Sequence, residues 1–177
     1  QGAGHVGQYL IDLLVKENAK IGVSDIFEDK LKEVTGKHSN IEVIDPKAIY
    51  TADMDIYAPC ALGATVNDDT LKQLKCKVIA GAANNQLQQE DKHGKQVRDM
   101  GIVYAPDFLI NAGGLINCYS ELEGYNRDRA MSKTEMIYDT ALNIMKHADA
   151  KNIPTYQAAN ELAEKRIEAI GNINKVL

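Results

Sequence analysis

The stretch Gln1-Gly2-Ala3-Gly4-His5-Val6-Gly7, with Lys20-Ile21-Gly22-Val23-Ser24-Asp25 after it, decides how this chain folds. The first seven residues carry G-x-G-x-x-G spacing, and Asp25 stands 18 residues beyond Gly7. Glycines alone are a weak signal. Here an amphipathic segment and a short apolar run ending in an acid follow them, and that order is the dinucleotide-binding one. Gly2 suits the tight turn, Gly4 the approach of backbone to a pyrophosphate, and Gly7 the close packing of helix on sheet. The helix that opens here would offer unpaired N–H groups and the positive end of its dipole. Asp25 can accept from a ribose 2′-hydroxyl. With Glu28 and Asp29 nearby and no Arg beside it, it would repel a 2′-phosphate, which selects NAD over NADP. The alternative role is to cap the turn that follows. A strand should lead into Gly2, so the chain reads as a piece of a longer protein whose first strand is missing.

Outward from this turn, helix and strand alternate. Residues 5–18 form a helical pattern, with Val6, Leu10, Leu13, Leu14 and Val15 on the apolar stripe. Strands are expected over 20–25, 40–44, 55–60, 77–82 and 101–105. Helical turns are expected over 29–35 and after the N-cap pair Asn67 and Asp68, and a helix broken by Gly94 over 86–100. Strands joined by connections of this length form a parallel sheet. The fold class is therefore α/β, a Rossmann-like parallel sheet with helices on both faces. After Pro106 the pattern turns helical: 115–122, then 127–150 behind the cap Asn126, then a last helix behind Thr155. Residues 1–115 read as the dinucleotide-binding domain and 116–177 as a helical segment.

Composition narrows the function classes. At 177 residues with 45% hydrophobic and 25% charged residues, this is ordinary globular composition. No apolar run reaches the roughly 20 residues that span a bilayer. With a net charge of −5 and no basic stripe, a nucleic-acid groove is not expected. Cys60, Cys76 and Cys118 are odd in number and widely spaced, and no His lies at ligand spacing from them. That disfavours a disulfide framework or metal site and fits buried thiols in the cytoplasm.

Longer blocks carry a family resemblance. Gln1–Gly7, Tyr57–Gly63 (YAPCALG), Val78–Leu87 (VIAGAANNQL), Gly101–Gly114 (GIVYAPDFLINAGG) and Gly124–Ala130 (GYNRDRA) resemble the Glu/Leu/Phe/Val dehydrogenases, closest to the leucine branch. The resemblance implies the NAD-binding domain of a two-domain enzyme, with residues 116–177 returning toward an N-terminal catalytic domain. It implies reversible oxidative deamination of a branched-chain L-amino acid to a 2-oxo acid and ammonia, with hydride passing to NAD. The family's catalytic lysines and aspartate lie in the other domain, so no residue here is assigned as catalytic. Gly2, Gly4, His5, Val6 and Gly7 match the pyrophosphate turn, and Asp25 with Ile26 the adenosine pocket. Cys60 and Ala61 match the turn beside the riboses. Asn85 matches a residue near the nicotinamide ribose and the substrate carboxylate, and Asn111 one near the carboxamide. Leu115 and Cys118 match the substrate side-chain pocket, although at i and i+3 of an apolar helix both also suit plain core; Cys118 departs from the expected Val. Family members are homo-oligomers, which is the expectation for the full-length protein. The competing reading is a stand-alone NAD-binding sensor or partner module without catalysis.

Overall fold

Short apolar pairs flanked by polar, cap-bearing segments fold as parallel strands joined by helices in the computed structural model, which describes residues 1–173. Strands β1 (Gly22–Val23) and β2 (Glu42–Val43) pair in parallel, Val23 beside Val43. Strands β3 (Ile56–Tyr57), β4 (Val78–Ile79) and β5 (Val103–Tyr104) form a second parallel sheet in the order β3-β4-β5. Gln1 and Gly2 join the two. Gly2 N–H donates to the Ser24 carbonyl at 2.7 Å, and the Gln1 carbonyl accepts from Cys60 N–H at 2.7 Å. The strand ends are thereby brought to one edge.

Side-chain alternation places the core. Tyr57, Ile79 and Tyr104 lie in register and are buried, packing with Val66, Leu71, Leu74 and Val97. A second cluster unites Ala3, Ile11, Ile21, Val23 and Val34 between β1 and the helices α1 (His5–Lys16) and α2 (Glu28–Lys37). The face of α1 that meets the sheet is therefore Gly7 and Ile11. Val6 and Leu13, expected on the buried stripe, are 56% and 59% exposed, because the close approach of Gly7 to the turn sets the rotation of the helix.

Helix starts follow side-chain chemistry. At α3 (Asp68–Leu71) the Asn67 Oδ1 accepts from the N–H groups of Asp69 and Thr70, while Thr70 Oγ1 accepts from Asn67 N–H. That reciprocal pair is a capping box. Gly94 does not break α4 (Glu90–Asp99), contrary to the sequence expectation; it makes room on the helix for the ring of Tyr156. A short helix not anticipated from sequence, α5 (Asp107–Ile110), follows β5, and α6 (Ala112–Leu122) starts before its two glycines rather than after them.

Asn126 caps α7 (Arg127–Lys151), as expected, by accepting from Arg129 N–H. Left-handed Asn152 ends it, and α8 (Thr155–Ile173) packs back through Ile144, Ala148, Ala158 and Ala159. Thr155 is not the cap that its sequence suggested. It is the first helical residue, and its hydroxyl donates to the Tyr104 carbonyl at 2.6 Å. Tyr156 sits on Gly94 and donates to Asp91 Oδ1 at 2.9 Å, while Arg98 hydrogen-bonds Asn152. These contacts fix the helical pair to α4 and β5. Ile167 and Ile170 on α8 are exposed. The final four residues of the expected 116–177 segment lie outside the described ones. Among the described residues no helix is long and apolar enough to cross a membrane.

Two predictions follow from this packing. A Cβ on Gly94 would lie 2.6 Å from Tyr156 ring carbons. Alanine gains about 1 kcal/mol of helix propensity, but overpacking costs about 1–3 kcal/mol. Gly94→Ala should lose about 1 kcal/mol in urea unfolding, and the same change in a Tyr156→Ala background should gain stability. No sign change between backgrounds would refute the ring contact. Separately, Lys151 and then His147 hold the Glu161 carboxyl down to about 2. Because the folded value lies below the ordinary 4.5, the clasp contributes above the ordinary value and is lost as pH falls through the folded one. Thermal melts of wild type and Glu161→Gln should differ at pH 6 and converge as pH falls toward about 2; a constant gap would sink this account.

Candidate functional site

The glycine turn is a set of close backbone approaches. Gly2 has φ +103°, a conformation side-chain-bearing residues rarely adopt, and a Cβ there would lie 2.8 Å from the Cys60 carbonyl carbon. On Gly7 a Cβ would fall 2.1 Å from the Gly2 carbonyl oxygen. The first turn of α1 is thus pressed on the glycine turn, and the turn on the Cys60-Ala61 backbone.

Asp25, just past the end of β1, holds this arrangement from the other side. Its Oδ2 accepts from Ala3 N–H at 2.6 Å and its Oδ1 from Phe27 N–H at 2.9 Å. The carboxylate therefore does what the capping alternative described, bonding its own turn, and also staples the glycine turn. Each oxygen keeps a further lone pair for a ligand hydroxyl.

The N-terminus of α1 is open. Gly4, His5 and Val6 are exposed, Gly4 is its N-cap with no side-chain cap, and no acid stands in its first turn. The N–H groups of these three residues have no partner among the described residues. A Cβ on Gly4 would meet nothing within 4 Å, so there is open space at the donors. Unpaired donors, a helix dipole and room beside them fit an anionic group such as a pyrophosphate.

Farther along the same edge, the turn after β4 carries the amides. Asn85 is left-handed, at φ +52°, and its carbonyl accepts from Ala64 N–H at 2.7 Å. Asn111, at the end of α5, donates through Nδ2 to Asn84 Oδ1. Asn111 is thereby oriented, its Oδ1 left as acceptor and the Asn84 Nδ2 as donor. A cavity of about 410 Å³ is lined by Asn84, Asn85, Gln86, Glu90, Asp107 and Asn111 among others. A second, of about 480 Å³, shares Asn84 and Asn85 and reaches Ala61 through Gly63. The Asn84-Asn85 turn is the wall between them.

The structure thus brings Gly2, Gly4, His5, Val6, Gly7, Asp25, Cys60 and Ala61 around the glycine turn, and Asn85 and Asn111 to the neighbouring cavities. Ile26 is 75% exposed beside Asp25. Leu115 and Cys118 line neither cavity, and both are exposed on α6. Nor are the thiols uniformly buried: Cys76 is, Cys60 is half-buried and Cys118 exposed, because each follows its own element's packing.

Sequence reasoning passed over Gln86, Glu90 and Asp107. Gln86 is fully buried, donating through Nε2 to the carbonyls of Gly81 at 2.6 Å and Ala83 at 2.9 Å, while its N–H donates to Asp107 Oδ2 at 3.3 Å. This network shapes the turn that presents Asn85. Burial first, then the Asp107 carboxylate, pushes the Glu90 carboxyl up. The only sequence signal was adjacency: Gln86 follows the asparagine pair and Asp107 follows Pro106. His93 on α4 is fully buried, and its Nδ1 accepts from Gln89 N–H at 2.9 Å. Among the described residues no three His, Cys, Asp or Glu side chains gather as a metal site.

The family model described as Glutamate/Leucine/Phenylalanine/Valine dehydrogenase matches residues 22–173. Leucine dehydrogenase of Bacillus cereus is 50% identical over 172 residues, covering 97% of this chain and 46% of that protein. Phenylalanine dehydrogenase of Bacillus thermotolerans is 45% identical over 178 residues, 98% of this chain and 46% of that one. The crystal structure of L-tryptophan dehydrogenase from Nostoc punctiforme is similar with a TM-score of 0.92 at 43% identity, over 96% of this chain and 50% of that one. The chain spans about half the length of the curated relatives it matches. A family match that runs from β1 to the end of α8, with relatives near half identity, settles the lineage: this chain belongs to the Glutamate/Leucine/Phenylalanine/Valine dehydrogenase family.

Proposed function

We propose that this chain is the NAD-binding half of an amino-acid dehydrogenase that oxidatively deaminates a branched-chain L-amino acid (leucine, valine or isoleucine) to its 2-oxo acid and ammonia. The observation that carries the reading is the open N-terminus of α1, with unpaired N–H groups beside Asp25 and on the same edge as the Asn84-Asn85-Asn111 amides. NAD would supply the hydride acceptor. The chain's own residues bind and orient it. The N–H groups of Gly4, His5 and Val6 would take the pyrophosphate oxygens. Asp25, with Ile26 against the base, would take the adenosine ribose. A donor at Asn84 Nδ2 and an acceptor at Asn111 Oδ1 complement a primary carboxamide, which has one acceptor and one donor side. Asn85 and the Cys60-Ala61 turn would position the second ribose.

On the substrate side, the exposed apolar Leu115 and the Cys118 thiol on α6 would form one wall of a side-chain pocket. A methylene more or less in such a pocket changes selectivity by only about 1–3 kcal/mol, so several branched side chains would be accepted. No group in this chain is assigned as the proton acceptor. Residues 1–115 would act as the binding domain, and 116–177 would reach toward a further catalytic domain of the longer, homo-oligomeric protein. This chain alone would bind NAD without turnover. The free thiols fit a reducing compartment such as the cytoplasm. The sensor-module alternative draws no support from the relatives described above, each of them named a dehydrogenase.

Isothermal titration of the chain with NAD, and with NADP as control, tests the reading. A 2′-phosphate about 4 Å from Asp25 would meet roughly 4 kcal/mol of repulsion at a surface dielectric, so NADP should bind at least tenfold more weakly. Asp25→Asn keeps one acceptor for the staple and removes the charge; it should narrow that ratio several-fold. Equal affinity of wild type for both nucleotides would refute the role of Asp25, and no binding of either by folded chain would refute the site. In the longer protein, leucine, valine and isoleucine should be oxidised faster than phenylalanine, and the reverse order would overturn the branched-chain assignment.

A further inference from the structure

Phe27 stands where folding has no use for it. It is the N-cap of α2, with extended backbone at φ −100° and ψ 110°. At that position Asn, Asp, Ser or Thr would accept an N–H of the first helical turn; Phe27 makes no such bond. Its ring is not in the core either. The residue is 59% exposed and joins none of the three hydrophobic clusters. A large apolar side chain thus faces water at a position that favours a small polar one.

Its backbone, in contrast, is fixed. Phe27 N–H donates to Asp25 Oδ1, and the other oxygen of that carboxylate holds the glycine turn through Ala3 N–H. The ring is therefore carried by a residue whose backbone is anchored to the carboxylate assigned above to the adenosine ribose, on whose reading this inference rests. The ribose carbon that bears the 2′-hydroxyl adjoins the carbon that bears the base. A carboxylate that takes the hydroxyl consequently brings adenine beside residues 26 and 27. We propose that the Phe27 ring is the stacking platform for that adenine, with Ile26 as the neighbouring apolar wall. Adenine is neutral, so the acids Glu28 and Asp29 in the next turn do not oppose it. The aromatic face supplies what the exposed Ile26 lacks, a flat surface that a purine covers.

The test sets stability against affinity. The chain, Phe27→Asn and Phe27→Tyr are titrated with NAD, AMP and nicotinamide mononucleotide, and their thermal midpoints measured. Phe27→Asn gains a cap and should melt about 2–4 °C higher. It should bind AMP and NAD about tenfold more weakly, with the mononucleotide unchanged, since stacking one base on an aromatic ring is lost. Phe27→Tyr keeps the ring and should bind as wild type does. Unchanged AMP and NAD affinity in Phe27→Asn overturns the proposal, as does equal loss for the mononucleotide or a lowered midpoint, which would mark a packing residue. If the wild-type chain binds neither NAD nor AMP, the NAD reading itself fails and this inference falls with it; if wild type binds and only the variant pattern is wrong, the NAD reading stands.

Discussion

Everything at the strand-end edge depends on the bond between Asp25 Oδ2 and Ala3 N–H. Gly2 lies against the Cys60 backbone at a distance that admits no side chain, and Gly7 lies closer still to Gly2. Three segments distant in sequence meet there: the glycine turn, the end of β1 and the turn after β3. A charge-assisted bond to a backbone donor is among the stronger hydrogen bonds available to a protein. It holds the glycine turn to β1 while the main-chain bonds of Gln1 and Gly2 span the two sheets. The open donors of α1 face outward because the turn beneath them is pinned.

The same bond explains why the site was legible in sequence in one part and not in another. The glycine spacing and the strand-end acid are local patterns with local geometry, and the turn formed as they dictate. The five strands are likewise where the expected runs lie. The rotation of α1 was misread because five apolar residues outweighed two glycyl and isoleucyl positions in the pattern, whereas backbone proximity at Gly7 chose the face. Gly94 looked like a breaker and Thr155 like a cap for a similar reason. Each contacts an element some 50 or more residues away, and no window along the chain contains its partner. Gln86 and Asp107 were silent in the sequence because a buried polar network announces itself only once its donors and acceptors are in space.

Among the described residues three separate hydrophobic clusters, rather than one, divide the labour. The first carries the β3–β5 sheet, the second the glycine turn and α1, the third the α7–α8 pair. The amide cavities lie at the edge of the first and the open α1 terminus at the edge of the second, so each half of the site rests on its own packing. The backbone contact between Gly2 and Cys60 is where the two halves are held at a fixed separation.

The short grip on α8 has a mechanical consequence. The helix is held within its first two turns, through Thr155, Tyr156, Ala158, Ala159, Glu161 and Leu162, while residues 163–172 are exposed. At 1.5 Å per residue, those ten exposed residues form an arm of about 15 Å. A tilt of about 10° at the last held turn sweeps the far end through about 3 Å, by the same helix rise. The clasp of Glu161 by Lys151 and His147 thus acts as a fulcrum, and small changes along α7 are magnified at the tip of the arm.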